Sequence, residues 1–398
     1  MKKIFTVILL VTVLIIPQLG CKSQQNNYQG VTKTGFYMDT VCQITIYSMT
    51  GTEDMGSEEQ EQKALSVITG AFKLCDEYEK RLSKTIEGSE IYRINHAAGE
   101  AVEVDETTIE VIEKGMEYGR ISGGNFDITI GQVTDLWDFH EQDEAGEKTG
   151  QVPDENEIEQ AVSHVDYEQI IIQGNTVRLA DPQAEIDLGG IAKGYVADRV
   201  GDYMEEQGVT SAVISLGGNI VVKGSAFLAE TPQRYWRIGI RSPKHASRRK
   251  AAEERAAAIA RSPHGTDLRA LGNHTPPNEE PACILELSDC SIVTSSIYER
   301  CFTDEHGNIH HHIVDPRTGR PSNSDLASAT VVSKRSIDGD GFSTALLIMG
   351  SYWAKNYAEG HPDLEAVLIT RDGRIEATSG IREAMGCVAG GAESHALF

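Results

Sequence analysis

The spacing of apolar residues along the chain alternates between a helical pattern and a strand pattern. Helical spacing predicts helices over Ser57–Leu82, from Asp105 to the glycines at 123 and 124, and over residues 191–204, where Gly208 ends the pattern. Short runs rich in β-branched residues predict strands at residues 36–47, 170–172, 177–179, 184–188, 212–216 and 220–223. This mixture, with no repeat of fixed period, predicts an α+β fold of mixed sheets and helices in one elaborated domain.

The first 34 residues differ in composition from the rest of the chain. Two lysines precede an uncharged apolar run at residues 4–16, which is typical of an export signal and too short to span a bilayer. The run leads into Gln18-Leu19-Gly20-Cys21, and a small residue directly before a cysteine is typical of bacterial lipoproteins. We predict a lipoprotein signal peptide at 1–20, lipidation of Cys21 and a tether at 21–34. An ordinary signal peptide with an incidental cysteine is the alternative.

These features predict an exported protein that is lipid-anchored to the cell membrane and faces away from the cytoplasm. The remaining residues, 35–398, would form the folded domain. Within it, residues at about 244–281 are rich in Arg, Lys, Ala, Glu and Pro and have no sustained apolar face. This composition predicts a surface insertion, either a solvated linker or a basic docking arm.

The charge and cysteine content restrict the classes of ligand and the redox chemistry. A formal net charge of −24 argues against nucleic acid as a partner, because phosphate backbones bind clustered Lys and Arg. A pyrophosphate ligand would need local cations, and a bound divalent metal could supply them. Beyond Cys21, six cysteines are widely scattered with no CxxC pair, which favours buried thiols over a disulfide framework.

Two segments combine turn residues with oxygen-bearing or basic side chains at a predicted helix start. Asp187-Leu188-Gly189-Gly190-Ile191-Ala192-Lys193-Gly194 places paired glycines and a lysine where unpaired N–H groups attract anions, although a structural turn with a solvated lysine is the alternative. Asp340 and Thr344 are four residues apart, so their oxygens can share one face of a helix and suit Mg²⁺. The alternative for Asp340 is a helix cap at the start of a helical run over 345–349.

The three consecutive histidines at 310–312 do not form a convincing metal site. Neighbouring residues in an extended chain alternate faces, and no Cys or Glu at ligand spacing accompanies them. His312 could carry a proton, because the ordinary pKa of histidine is near neutrality, or it could have a structural role.

Taken together and in this order, the motifs resemble the flavin transferase family known as ApbE. The matching segments are residues 38–40, 89–91 with Asn95, 126–129 with 136–139, 187–194, 217–220, 236–240, 294–300, 312–319 and 340–344. They cover most of residues 35–350 apart from the insertion. The resemblance implies a T-fold-related catalytic domain that splits FAD with Mg²⁺, transfers FMN to a threonine hydroxyl of an acceptor protein and releases AMP.

The resemblance also implies roles for individual residues. His312 and Asp340 would be catalytic, with His312 or a nearby carboxylate removing the proton of the acceptor threonine. The FAD site would include Met38, Thr85, Asn125, Phe126, Asp127, Asp187, Lys193 and Val314. Mg²⁺ would be held by the Asp340 carboxylate, the Thr344 hydroxyl and the carbonyls of Gly190 and Ser343. The acceptors would be proteins of extracytoplasmic redox complexes that carry a threonine flavinylation site.

Four positions depart from the family pattern. Asp39 and Ser296 replace common glycines, Gln132 replaces a common proline, and Thr85 lies where a tyrosine is expected near the flavin. The replacement at Thr85 resembles members that hydrolyse FAD to FMN and AMP. An FAD pyrophosphatase and a non-enzymatic flavin-binding lipoprotein therefore stay as alternatives to the transferase.

Overall fold

The computed structural model describes residues 30–52, 54–137, 139, 152–225, 235–243 and 281–386. Helices and antiparallel strands are mixed throughout these ranges, which confirms the α+β class. The predicted signal peptide, Cys21 and nearly all of the predicted insertion lie outside the described residues. Within those residues, we find no helix with the length and apolarity needed to cross a membrane.

The described ranges contain long helices that lie against the sheet and short helices that connect other elements. Their bounds are α1 Ser57–Leu82, α2 Glu90–Asn95, α3 Glu106–Ile121, α4 Gly131–Trp137, α5 Glu155–Val162, α6 Ala192–Glu206, α7 Ser336–Met349, α8 Ser351–Gly360 and α9 Ser379–Ala384. The predicted bounds of α1 are confirmed at both ends. Helix α3 follows Asp105 as predicted, and the Asp105 side chain caps it by accepting the Thr107 N–H at 2.9 Å.

Within the described ranges, the strands form a large central sheet and four smaller ones. Their bounds are β1 Val31–Tyr37, β2 Thr40–Met49, β3 Val102–Glu103, β4 Ile170–Gln173, β5 Thr176–Leu179, β6 Val209–Leu216, β7 Asn219–Lys223, β8 Trp236–Ile240, β9 Cys283–Leu287, β10 Cys290–Ser296, β11 Cys301–Thr303, β12 Ile309–His311, β13 Val314–Asp315, β14 Arg320–Pro321, β15 Leu326–Ser333, β16 Glu365–Thr370, β17 Ile375–Ala377 and β18 Met385–Gly386.

The central sheet has eight strands in the order β1-β2-β6-β7-β10-β15-β16-β17, and each neighbouring pair is antiparallel. Apolar faces of α1, α6 and α7 cover one side of this sheet. On the other side, Trp236 and Leu285 of the β8-β9-β18 sheet pack against Ile292 and Ile369 of the central sheet. The result is a helix–sheet–sheet arrangement, and α6 and α7 lie side by side on the helical face.

The N-terminal strand prediction needs correction. Residues 36–47 are not one strand, because β1 and β2 form a hairpin with a two-residue turn at Met38 and Asp39. Both turn residues have positive φ, at 52° and 54°, which is the backbone of a type I′ turn. Residues 31–34 of the predicted tether belong to β1, so the sheet begins earlier than expected. The segment 184–188 forms only one isolated bridge, from Glu185 to Ile130.

Helix α7 also begins earlier than the sequence pattern indicated. It starts at Ser336 rather than at residue 345, so Asp340 lies inside the helix and the capping alternative for it is wrong. The glycines that obscured the helix are there for packing: a Cβ at Gly339 would lie 2.7 Å from the Val293 side chain, and one at Gly341 would lie 2.6 Å from the Tyr118 ring. Five cysteines of the described ranges, at 42, 75, 283, 290 and 301, are free thiols.

Candidate active site

Asp340 is a buried carboxylate at the junction of α6 and α7. Its side chain is 6% exposed, and Oδ2 accepts the backbone N–H of Gly194 at 2.9 Å. Burial raises its pKa, while the Lys193 charge, the Gly194 N–H and the Asn219 amide oppose that rise. In the described ranges, no basic side chain lies within ion-pair distance of Asp340. A buried carboxylate without a paired cation is a favourable position for a bound metal ion.

Two oxygen-bearing side chains follow this carboxylate along α7. Asp340, Ser343 and Thr344 share one face of α7, as residues three and four apart do in a helix. The Ser295 hydroxyl, at the end of β10, lies 2.8 Å from Ser343 Oγ and 3.1 Å from Thr344 Oγ1. Among the described residues there is no group of three or more His, Cys, Asp and Glu side chains that could hold a metal. The donor set is thus one carboxylate with hydroxyls and carbonyls, which fits Mg²⁺ completed by ligand phosphates and water.

Lys193, in the first turn of α6, is the cation that links the separate parts of the site. Burial has the largest influence on three pKa values: it raises those of Asp340 and Cys42 and lowers that of His312. The Lys193 charge lowers all three pKa values. Its Nζ donates to the Gly189 carbonyl at 2.8 Å. Groups in α7, in the histidine segment and at the base of the β1-β2 hairpin are therefore all within reach of the charge of one ammonium group at the start of α6.

Gly190 approaches the Phe126 ring closely. A Cβ at Gly190 would lie 2.9 Å from Phe126 Cε2, and Phe126 is itself buried edge-on against Tyr118. This position therefore selects glycine. Asn125, next in the chain to Phe126, donates from Nδ2 to the Ser122 carbonyl at 2.6 Å and lines a cavity of about 470 Å³ with Arg317.

Asp187 is held by an ion pair that the sequence pattern did not reveal. Lys84 Nζ lies 3.3 Å from Asp187 Oδ2 and also donates to Asp135, Thr134 and the Gly131 carbonyl. Burial raises the pKa of Asp187, but the Lys84 charge and hydrogen bonds from Gly189 and Thr134 outweigh it, so the pKa is lowered. Asp187 is therefore an ionised carboxylate at the loop that leads into α6.

Thr85 and Met38 lie on exposed or partly exposed turns near these groups. Thr85 follows Lys84 directly, is exposed, and has its hydroxyl 3.1 Å from Ser83 Oγ. Met38 is the first turn residue of the β1-β2 hairpin and packs partly against the α1–sheet core. Both positions leave side chains accessible to a ligand.

The side chains of Asp127 and Val314 are engaged inside the protein. Asp127 accepts from Thr129 N and Oγ1 and from Tyr167 N at 2.8, 2.6 and 3.1 Å, and burial raises its pKa. Val314 is 5% exposed in a cluster with Trp137 and other aromatic residues. Any contact of these two residues with FAD would have to be made by their backbone atoms.

His312 is a neutral histidine. Burial, the Arg300 charge and His311 place its pKa well below the usual range, although the Arg300 carbonyl opposes this. Its Nδ1 lies 3.2 Å from the Arg300 carbonyl, so Nδ1 carries the hydrogen and Nε2 is left as the basic atom. His311, in contrast, is buried with Nε2 on the Ser322 carbonyl. The neighbours therefore take different roles, as the alternation of an extended chain predicted.

Four residues of the site were not identified from the sequence as functional: Lys84, Asn219, Ser295 and Asp198. They come from the bend after α1, β7, β10 and α6, respectively, and only the tertiary fold brings them near the predicted residues. Asn219 is 2% exposed, and its Nδ2 has no hydrogen-bond partner of normal geometry in the described ranges, although it lies near enough to Asp340 to lower the pKa of that carboxyl. For Asn219 and Ser295, a polar residue near the end of a predicted strand is the available sequence signal; Lys84 and Asp198 have none.

The fold and the site define a class: an α+β protein with an oxygen-donor site at adjoining helix starts and a lysine beside it. The ApbE family matches residues 38–368, and the chain belongs to this family. A relative named FAD:protein FMN transferase from Klebsiella pneumoniae (strain 342) is 31% identical over 77% of this chain and 83% of its own length. Another with that name, from Treponema pallidum (strain Nichols), is 27% identical over 93% of each chain.

Solved structures agree with this assignment. The flavin transferase ApbE from Vibrio cholerae is 25% identical to this chain and superposes with a TM-score of 0.67. The superposition covers 89% of this chain and 99% of the Vibrio cholerae chain. The ApbE protein from Thermotoga maritima has a TM-score of 0.70 at 24% identity, with the same coverage, and supports the fold.

Proposed function

We propose that this protein is an FAD:protein FMN transferase that uses Mg²⁺ to transfer FMN from FAD to a threonine hydroxyl of an acceptor protein, with release of AMP. The names of the relatives support the transfer of FMN. The observation that carries the proposal for this chain is the Asp340 carboxylate, which is buried without an ion-pair partner among the described residues and lies beside hydroxyl oxygens and Lys193.

The residues around Asp340 suit the binding of a pyrophosphate. Lys193 offers a positive charge in the first turn of α6, at the positive end of the helix dipole, and both attract phosphate oxygens. Asp340, Thr344 and the carbonyls of Gly190 and Ser343 would hold Mg²⁺. Bound there, Mg²⁺ would neutralise the phosphates of FAD in a protein of net charge −24 and make the FMN phosphorus easier to attack.

The remaining predicted residues would bind the two ends of FAD. Asp187 and Thr85 lie at the Lys84 end of the site, whereas Asn125 lines the cavity of about 470 Å³. That cavity also includes Met349, nine residues beyond Asp340 along α7. At about 1.5 Å per residue this is roughly 13 Å, a separation that suits an extended dinucleotide.

His312 is the group that would accept the threonine proton. Its neutral imidazole has Nδ1 on the Arg300 carbonyl, and Nε2 has no hydrogen-bond partner among the described residues. A neutral imidazole that holds one tautomer is suited to general-base catalysis. Water in place of the threonine would give FMN and AMP, and the exposed Thr85 at the position where a tyrosine is expected favours this pyrophosphatase activity as the second candidate.

The test is to incubate the mature protein with FAD, Mg²⁺ and a threonine-bearing acceptor protein. A fluorescent acceptor band on a denaturing gel supports transfer, whereas AMP and free FMN alone support hydrolysis. Asp340→Ala should abolish both, and Asp363→Ala, a change of the same type at an exposed position, should not. Full FAD turnover by Asp340→Ala would refute the metal assignment.

The location of the protein is also part of the proposal. Export, cleavage before Cys21 and lipid attachment would place the enzyme at the outer side of the cell membrane, where extracytoplasmic acceptors are found. Replacement of Cys21 by Ser should release the protein from the membrane fraction. Retention of this variant in the membrane fraction would contradict lipid anchoring at Cys21.

A further inference from the structure

Asp198 is a buried carboxylate of α6 that lies against the start of α7. It is 5% exposed, and its two oxygens accept the backbone N–H groups of Ser336 at 2.7 Å and Ile337 at 3.0 Å. The residue before α7 in the chain, Arg335, supplies no side-chain cap. Two of the unpaired N–H groups at this helix start are therefore satisfied by a side chain from another helix.

A second attachment joins the same two helices one turn away. Gly194 lies four residues before Asp198 and donates its N–H to Asp340, which lies four residues after Ser336. The step of one turn from Asp198 to Gly194, towards the start of α6, therefore matches the step of one turn from Ser336 to Asp340, towards the end of α7. A Cβ at Gly194 would lie 2.4 Å from the Ser336 carbonyl oxygen, so the two backbones are in direct contact.

The position of Asp340 follows from these two attachments. Its own helix contributes no side-chain cap, and the packing of α6 on α7 sets both the depth and the rotation of the first turns of α7. Asp340, Ser343 and Thr344 all belong to these turns. A shift at Ser336 and Ile337 would therefore move the oxygen donors together.

Arg335 adds an outer contact to the same network. Its guanidinium pairs with Asp202 through two hydrogen bonds of 3.0 Å, and its Nε lies 3.5 Å from Asp198 Oδ2. Asp202 is half-exposed and does not contact α7 backbone N–H groups, whereas Asp198 does. The two aspartates lie on the same helix and touch the same arginine, so they provide a matched pair for an experiment.

We infer that Asp198 is a positioning residue of the candidate metal site: by holding the backbone of Ser336 and Ile337, it fixes the carboxylate of Asp340 against Gly194. The inference rests on the proposed function for its catalytic consequence. Residues that orient metal ligands typically change metal affinity by about 10- to 100-fold when they are replaced. Asp198→Asn keeps the side-chain shape but removes the charge and one acceptor oxygen.

The first measurement is backbone amide exchange by mass spectrometry, on the full mature protein without metal or FAD. Asp198→Asn should speed exchange at the start of α7 and at Gly194 by about tenfold, because the capping hydrogen bonds are weakened. Asp202→Asn should change it by less than about twofold. Unchanged exchange in Asp198→Asn would overturn the inference, whatever the activity of the protein.

The second measurement is the Mg²⁺ concentration that gives half the maximal rate of AMP release from FAD. Asp198→Asn should raise this concentration about tenfold, with KM for FAD and the rate at saturating Mg²⁺ changed by less than about twofold. A purely structural role would lower stability without changing the Mg²⁺ requirement, and that result would overturn the inference.

If Asp198→Asn does not fold, Asp198→Glu should also raise the Mg²⁺ requirement, because it keeps the charge but moves the carboxylate. Absence of AMP release by the wild-type protein would instead count against the proposed function, and the exchange measurement would still test Asp198.

Discussion

Replacing Gly194 by alanine tests the contact on which the candidate site depends. A Cβ at this position would lie 2.4 Å from the Ser336 carbonyl oxygen and 2.7 Å from Ile337 Cα. Both are backbone atoms, which cannot rotate away as a side chain can. Ordinary van der Waals contact begins near 3.4 Å. We therefore expect α6 and α7 to separate by about 1 Å at this point, which is the difference between those distances.

The expected cost combines two losses and one gain. Overpacking of this kind costs about 1–3 kcal/mol. The 2.9 Å hydrogen bond from Gly194 to the Asp340 carboxylate would also be lengthened, and a hydrogen bond to a charged group contributes about 1.5–3 kcal/mol. Alanine regains up to about 1 kcal/mol of helix propensity. The net loss in the free energy of unfolding should be about 2–5 kcal/mol.

The assay is urea unfolding, with Gly201→Ala as the matched control. Gly201 lies further along the same helix, and its nearest neighbour for a Cβ is Lys223 Cε at 3.2 Å, the flexible end of a side chain. Gly201→Ala should leave stability unchanged or raise it by up to about 1 kcal/mol. Equal stability of the two variants would refute the backbone contact between α6 and α7. In an FAD cleavage assay of the same two variants, Gly194→Ala should lose most of the activity, whereas Gly201→Ala should retain it.

Three further predictions concern other parts of the fold. Asp39→Gly should raise the free energy of unfolding by up to about 1 kcal/mol, because glycine adopts φ near 54° without steric cost, and a loss of stability in urea would contradict the turn assignment. Lys84→Met should cost about 2 kcal/mol and raise KM for FAD, since it leaves the partly buried Asp187 carboxylate without its cation, whereas Lys80→Met, at an exposed position in the last turn of α1, should change neither. Burial raises the pKa of Asp198 to about 6 against opposing contacts from Ser336, Ile337 and Arg335, so the native state binds this proton more tightly than the unfolded state. The stability of the wild type relative to Asp198→Asn should therefore fall by about 2 kcal/mol as pH rises from 4 to 6, and a flat difference across that range would contradict the burial of this carboxylate.

Much of the secondary structure could be read from local signals. Helix α1 combines a long apolar stripe with polar flanks, and α3 combines a capping aspartate with glycines at its end, so both were predicted correctly. The turn at Met38 and Asp39 was missed because neither residue is a glycine or an asparagine, although both adopt positive φ. The pairing of β1 with β2 imposes that backbone.

Helix α7 shows where local signals fail. Its first turns contain two glycines and no side-chain cap, and both features disfavour a helix in an isolated segment. Asp198 supplies the cap from α6, and the packing of Gly339 on Val293 and of Gly341 on Tyr118 explains the glycines. None of these partners is near α7 in the sequence.

The sequence alone identified the family, the α+β class, and the motifs around Asp187, Lys193, His312 and Asp340, because each motif joins a turn or helix start to reactive side chains within a few residues. Which groups surround those motifs was decided only by the tertiary structure. The antiparallel sheet brings Asn219 and Ser295 beside α7, the bend after α1 brings Lys84 to Asp187, and the packing of α6 on α7 brings Asp198 to Ser336. The physical reason is that burial and charge compensation depend on neighbours distant in the chain. A carboxylate such as Asp340 becomes a candidate metal ligand only when packing removes it from water without giving it a counter-charge.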